Sequence, residues 1–196
     1  MDDVPVRSGR RADAVANRER LLEAAVRAFA ADGPAASLKD IAKTAGVGIG
    51  TLYRHFPTRE SLIEAAHENE LSRLCASVEP LLASSPSPDA ALRAWLAEWI
   101  EYLRAKDGLA RALRATEQAA PAEGRSPHAG VSFPGARALA LDAVGRLLAA
   151  GVDAGTVRPE AEPLDVLVAG NGIALAALSP EQADRLLSYL LTALRP

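Results

Sequence analysis

Residues Ser37 to Phe56 read SLKDIAKTAGVGIGTLYRHF, and the spacing of their apolar and glycine positions decides how the rest of the chain is understood. Ser37 suits the N-cap of a short helix reaching about Ala45, with Asp40 three residues on, where a capping box wants an acid or amide. Ile41 and Ala42 form the inner face of that helix, and Ala42 is small where a second helix must cross closely. Gly46 takes the turn, where a left-handed backbone is free of strain only for glycine. The second short helix runs from about Ile49 to His55 and is stopped by Pro57. Val47 and Leu52 fill the wedge between the two helices, and Phe56 closes it. Such a pair is a helix-turn-helix, which lays its second helix in a DNA major groove while the first crosses the backbone.

The second helix begins with Gly48 and Gly50, although a helical glycine costs about 1 kcal/mol relative to alanine and this chain uses alanine freely. Bare backbone at this corner lets a duplex come close, with N–H groups turned toward a phosphate. Thr51 offers a hydroxyl and a methyl, suited to a phosphate or a thymine methyl. Tyr53, Arg54 and His55 are donors that reach phosphates, and Arg54 also reaches a guanine. Lys39, Thr58 and Arg59 are backbone clamps, and Arg7, Arg10 and Arg11 form a loose arm able to lie along a groove. The bland reading of the same residues is two packed helices, ordinary turn glycines and a solvated arm. The complete spacing, its place near the N-terminus and the Tyr53–Phe56 run favour DNA.

Outward from this motif, helical periodicity runs almost throughout the 196 residues. Leu21, Leu22, Ala25, Val26 and Phe29 follow helical spacing from Arg18 until Gly33 and Pro34 break it. Thr58 caps one long helix reaching the serines near residue 84. A helix from Ala90 to about Lys106 follows, broken by Asp107-Gly108, then a shorter one to about Ala120. Residues 121–135 are rich in Pro, Gly and Ser. Further helices cover about 136–150, 164–178 and 180–194, so the expected fold is all-α with about nine helices.

Net charge is −3, which alone argues against nucleic acid, but its distribution is uneven. Residues 1–60 hold 10 Lys and Arg against 8 Asp and Glu; the remainder holds 12 against 17, so the front is +2 and the rear −5. The N-terminus has no apolar leader and no 18-residue apolar run occurs, so neither a signal peptide nor a membrane span is expected. A lone Cys75 fits a reducing cytoplasm.

The run LLEAAVRAFAADG…SLKDIAKTAGVGIGTLYRHFPTRESLIEAA resembles the N-terminal DNA-binding domain of the tetracycline-repressor (TetR) family over residues 18 to about 66. The resemblance implies a DNA-binding domain over 14–60 and a helical regulatory and dimerisation domain over 61–196, linked by a long fourth helix. It also implies a homodimer on a palindromic double-stranded operator. By position, the implied DNA contacts are Ser37, Lys39, Gly48, Gly50, Thr51, Tyr53, Arg54, His55 and Arg59. The family commonly has serine where this chain has Gly48, so a capping hydroxyl is missing here.

Residues 61–196 carry no comparable motif. With three histidines in the whole chain (His55, His67 and His128), one cysteine and no metal, nucleophile-elbow or phosphate-loop pattern, no enzyme, metal or cofactor is expected. His67 reads first as a solvated or packing residue, and Cys75 as a small buried one. Trp95, Trp99 and Tyr102 share one helix face and either form plain core or line a cavity for a small hydrophobic effector. Phe133 would stand at the cavity entrance. Asn171 either orients that ligand or pairs with its twin across a dimer seam. Leu164, Leu167, Leu175, Leu186, Leu187, Leu190, Leu191 and Leu194 are expected in a four-helix dimer interface, with Gly170 and Gly172 allowing close approach. The function expected is a regulator, usually a repressor, released by an effector; the alternative is a ligand-independent DNA-binding or architectural protein.

Overall fold

The computed structural model describes residues 6–117 and 136–196. Every regular element among them is helical: α1 (Val6–Asp32), a 3-10 turn (Gly33–Ala35), α2 (Leu38–Thr44), α3 (Ile49–His55), α4 (Arg59–Ala76), α5 (Val78–Ser84), α6 (Pro88–Glu117), α7 (Ala136–Asp153), α8 (Pro163–Ala176) and α9 (Pro180–Ala193). The described residues form two compact units, one of residues 6–69 with 109–117 and the other of 70–108 with 136–196. Their division falls inside α4, C-terminal to the sequence-based boundary at residue 60.

In the first unit, α1 buries Leu21, Leu22, Ala25 and Phe29 against Ile41, Ala42, Leu52, Phe56, Leu62 and Ile63. Helix α1 begins at Val6 rather than near Arg18, so Arg7, Arg10 and Arg11 stand on helical backbone and not in a loose arm. Residues 6–17 contain no proline and several strong helix formers, and the single Gly9 does not outweigh them.

The turn between α2 and α3 is closed by backbone geometry. Gly46 has φ +70. Its N–H donates to the Lys43 carbonyl at 3.1 Å, and the Val47 N–H donates to that of Ala42 at 3.0 Å. This double closure satisfies the last carbonyls of α2 and depends on a left-handed residue at that point. Helix α4 starts with a reciprocal cap: the Ser61 N–H donates to Thr58 Oγ1 at 3.1 Å and the Thr58 N–H to Ser61 Oγ at 3.2 Å.

Two helix boundaries differ from the sequence reading. The single long helix from Thr58 is interrupted at Ser77. Pro80 has no N–H for the Ala76 carbonyl, and the Leu74 carbonyl accepts from Ser77 N (3.2 Å), Ser77 Oγ (2.8 Å) and Trp95 Nε1 (2.9 Å). Conversely, Asp107-Gly108 does not break α6, which runs unbroken for 30 residues; one glycine among good helix formers is affordable.

The second unit is built around Trp95 and Trp99, stacked with ring centroids 5.6 Å apart and 9° between planes. Leu92, Leu96, Val144, Leu147, Val166, Leu167 and Leu187 surround them. Leu167, Leu187 and Leu194, expected at a dimer seam, are therefore buried in the protomer's own core. Gly170 likewise packs inward, where an added Cβ would lie 3.5 Å from Trp99. Leu186, Leu190 and Leu191 are partly buried against the same core. What remains outward is Leu164, Val168, Leu175 and Leu178 along one side of α8 and its end, and Tyr189 on α9.

Candidate nucleic-acid interface

Helix α2 is fixed by its cap, Ser37 Oγ accepting from the Asp40 N–H at 3.3 Å. Helix α3 is fixed from inside: Leu52 is fully buried and Phe56 nearly so. This leaves the other side of α3 outward. Gly48, Ile49, Gly50, Tyr53 and Arg54 are exposed, as are Ser37 and Lys39 on the α2 side, while Thr51 and His55 are half-buried. Residues 37–59 hold four cations (Lys39, Lys43, Arg54, Arg59) against one carboxylate, Asp40.

Gly48 is the N-cap of α3, with φ −73 and ψ 150 and no side-chain cap bond. Its carbonyl accepts from the N–H of Thr51 at 2.8 Å and of Leu52 at 3.3 Å. A Cβ built on Gly48 or on Gly50 meets no atom within 4 Å. Neither position has the positive φ that would call for glycine. Nothing within the described fold therefore requires glycine at either place.

Arg54 folds along its own helix, its Nε donating to the Gly50 carbonyl at 3.3 Å and its Nη2 to Thr51 Oγ1 at 2.9 Å. That places a guanidinium beside the first turn of α3. Arg59 is placed differently from the other cations. It is half-buried, its Nη2 donates to the Ala36 carbonyl at 2.6 Å, and its guanidinium lies 5.4 Å from the centre of the Phe29 ring. Arg59 thus ties the start of α4 to the α1–α2 corner. Arg18 lies similarly over Phe56, at 5.5 Å.

The residues singled out for an effector are packed. Trp95, Trp99 and Tyr102 are at most 5% exposed, and Trp99 Nε1 donates to Asn171 Oδ1 at 2.9 Å. Asn171 is half-buried and serves the indole within its own chain. Phe133 lies outside the described residues. A cleft of about 370 Å³ exists elsewhere, between the start of α6, residues 156–157 and the end of α9, lined by Leu92, Arg93, Val157, Ser188 and Leu191 among others. Burial pushes the Cys75 thiol up to about 11, Arg146 opposing and Asp142 adding to the shift. No cluster of metal-ligating side chains occurs among the described residues, and no helix among them is long and apolar enough to cross a membrane. The sequence reading did not single out Tyr189, or Ile49 as a contact. Ile49 is marked only as a large apolar side chain between two glycines at the start of α3, and Tyr189, lying among leucines, carries no local signal that sets it outward.

Comparison with known proteins agrees with this geometry. The model for bacterial regulatory proteins of the tetR family matches residues 21–66, and that for the C-terminal domain of SbtR-like transcriptional regulators matches residues 87–196. A TetR transcriptional regulator of Streptomyces coelicolor is 46% identical with a TM-score of 0.73, over 91% of this chain and 98% of its own. A TetR regulatory protein from Mycobacterium vanbaalenii is 33% identical with a TM-score of 0.69, over 95% and 99%. The repressor LfrR of Mycolicibacterium smegmatis is 42% identical over 78 residues, 39% of this chain and 40% of LfrR. The match to this curated relative thus spans well under half of its length. With one family model on the helix-turn-helix and another on more than half of the chain, the protein belongs to the TetR family of DNA-binding transcriptional regulators.

Proposed function

We propose that the chain is a repressor that binds a palindromic operator as a homodimer in the cytoplasm and is released by a small hydrophobic effector. The observation that carries the DNA contact is the pair Gly48 and Gly50, bare and uncrowded on the outward side of α3. Ser37, Lys39, Gly48, Gly50, Thr51, Tyr53, Arg54 and His55 meet the duplex, and Arg59 contributes chiefly by holding the corner of the unit. Named repressors among the relatives support the sign of regulation.

The dimer forms through the outward sides of α8 and α9: Leu164, Val168, Leu175, Leu178 and Tyr189, with Leu186 and Leu190 at the edge. Exposed apolar side chains on adjacent helices support this reading. Two reading helices must fall about 34–36 Å apart to enter successive major grooves. Helix α4 runs through the division between the units and would carry the effector signal.

A second reading, a ligand-independent regulator, is favoured by the closed packing of Trp95, Trp99 and Tyr102. Selecting operators from a random duplex pool with the full chain, then melting the protein with hydrophobic compounds, tests both. Enrichment of an inverted repeat supports the operator, and a compound that raises the melting temperature while weakening DNA binding supports the effector. No enriched duplex sinks the proposal.

A further inference from the structure

We propose that Ile49 is a specificity-determining residue that reads the C5-methyl group of a thymine in each operator half-site; this rests on the operator-binding reading above. Ile49 is 40% exposed on the first turn of α3, while Leu52 and Phe56 take the helix's inward positions. It is not a core residue. Tyr53, one turn on and 49% exposed, stands on the same side.

Side chains at the start of a recognition helix are those that meet base edges. Here the first two helical residues and the cap before them carry a hydrogen, a branched hydrocarbon and a hydrogen: Gly48, Ile49, Gly50. Neither flanking residue has a side chain to crowd Ile49, and a Cβ at either glycine would meet nothing within 4 Å beyond its chain neighbours and its own helix backbone. Arg54, the only Lys or Arg of α3, is turned to the Gly50 carbonyl and Thr51 Oγ1 rather than outward beside Ile49.

The surrounding charge, four cations to one carboxylate over residues 37–59, suits a phosphate-lined groove. Among major-groove base edges, the thymine methyl is the apolar feature. An isoleucine set against it removes two apolar surfaces from water. Set against the donor and acceptor edge of a G·C pair, it would strip hydrogen bonds without replacing them. Favouring one base and penalising the other are both consequences of one uncharged side chain.

The test uses the full chain and the duplex it selects from a random pool, at one fixed salt concentration because phosphate contacts make affinity salt-dependent. Each selected thymine is replaced in turn by deoxyuridine, which removes the methyl alone. The expected result is one position per half-site where the wild type loses about fourfold, the worth of one buried methyl group. Ile49→Ala should bind the thymine and uracil duplexes alike, and Ile49→Val should keep the discrimination. A wild type indifferent to uracil everywhere overturns the proposal. So does an Ile49→Ala variant with the same uracil penalty, which would assign the methyl to another side chain such as Thr51. Both results leave operator binding intact; failure to select any duplex removes the operator reading and this proposal with it.

Discussion

Replacing Gly50 by alanine separates what the fold needs from what DNA needs. Gly50 is the second residue of α3, its φ is not positive, and an added methyl meets no atom within 4 Å. Alanine therefore fits without strain, and it costs less conformational entropy on folding. Gly50→Ala should stabilise the unit by about 0.5–1 kcal/mol. For a chain of this length that is a rise of roughly 1–4 °C in Tm, readable by circular dichroism. If a sugar-phosphate strand packs against this bare backbone, the same methyl must push it away. Loss of that fit should weaken operator binding at least tenfold, about 1.4 kcal/mol, in anisotropy titrations at fixed salt. Stability and DNA affinity should thus move in opposite directions. A variant that melts higher and binds DNA as before would refute the close-approach reasoning. One that melts several degrees lower would refute the account of α3 itself.

Three other outcomes are expected. Leu175→Glu with Leu178→Glu changes side chains that are 69% and 92% exposed in the protomer, so the chain should stay helical while its sedimentation mass falls from dimer to monomer; an intact dimer would place the seam elsewhere. Asn171→Ala removes the acceptor of the buried Trp99 indole N–H and should cost about 1–3 kcal/mol in urea unfolding, whereas an unchanged midpoint would mean the indole finds another partner. The buried Cys75 thiol, pushed up to about 11 from its ordinary 9.0, keeps its proton in the folded state where the unfolded thiol has lost it. Unfolding therefore releases a proton between about pH 9 and 11, and stability falls across that window as pH rises. Cys75→Val should remove that part of the decline, measured as the difference between the two unfolding curves; parallel curves would show that the thiol titrates normally.

The helix-turn-helix was legible in the sequence because its causes are local. A cap at Ser37, a left-handed turn at Gly46 and apolar residues at Ile41, Val47 and Leu52 act within twenty residues of one another, and each residue type has few conformations open to it. The absence of strands among the described residues was legible for the same reason, since helical periodicity is a short-range property. Arg59 was not, because its role depends on Phe29 and on the Ala36 carbonyl, brought near by packing.

Helices α8 and α9 show the limit most clearly. Helix α8 is apolar on several sides, so periodicity could not say which of its residues face the chain's own core, and α9 has one apolar stripe, for which periodicity could not say whether the chain's own core or a partner covers it. Packing around Trp95 and Trp99 took Leu167, Leu187, Leu194 and Gly170 inward and left Leu175, Leu178 and Tyr189 outside. Ser77 is similar: Pro80 weakens the helix locally, but the Leu74 carbonyl is also taken by an indole 21 residues away in the sequence. Hydrogen bonds and turns between near neighbours follow from residue identity alone. Which of several equivalent apolar faces is buried is settled only when distant helices compete for the same core.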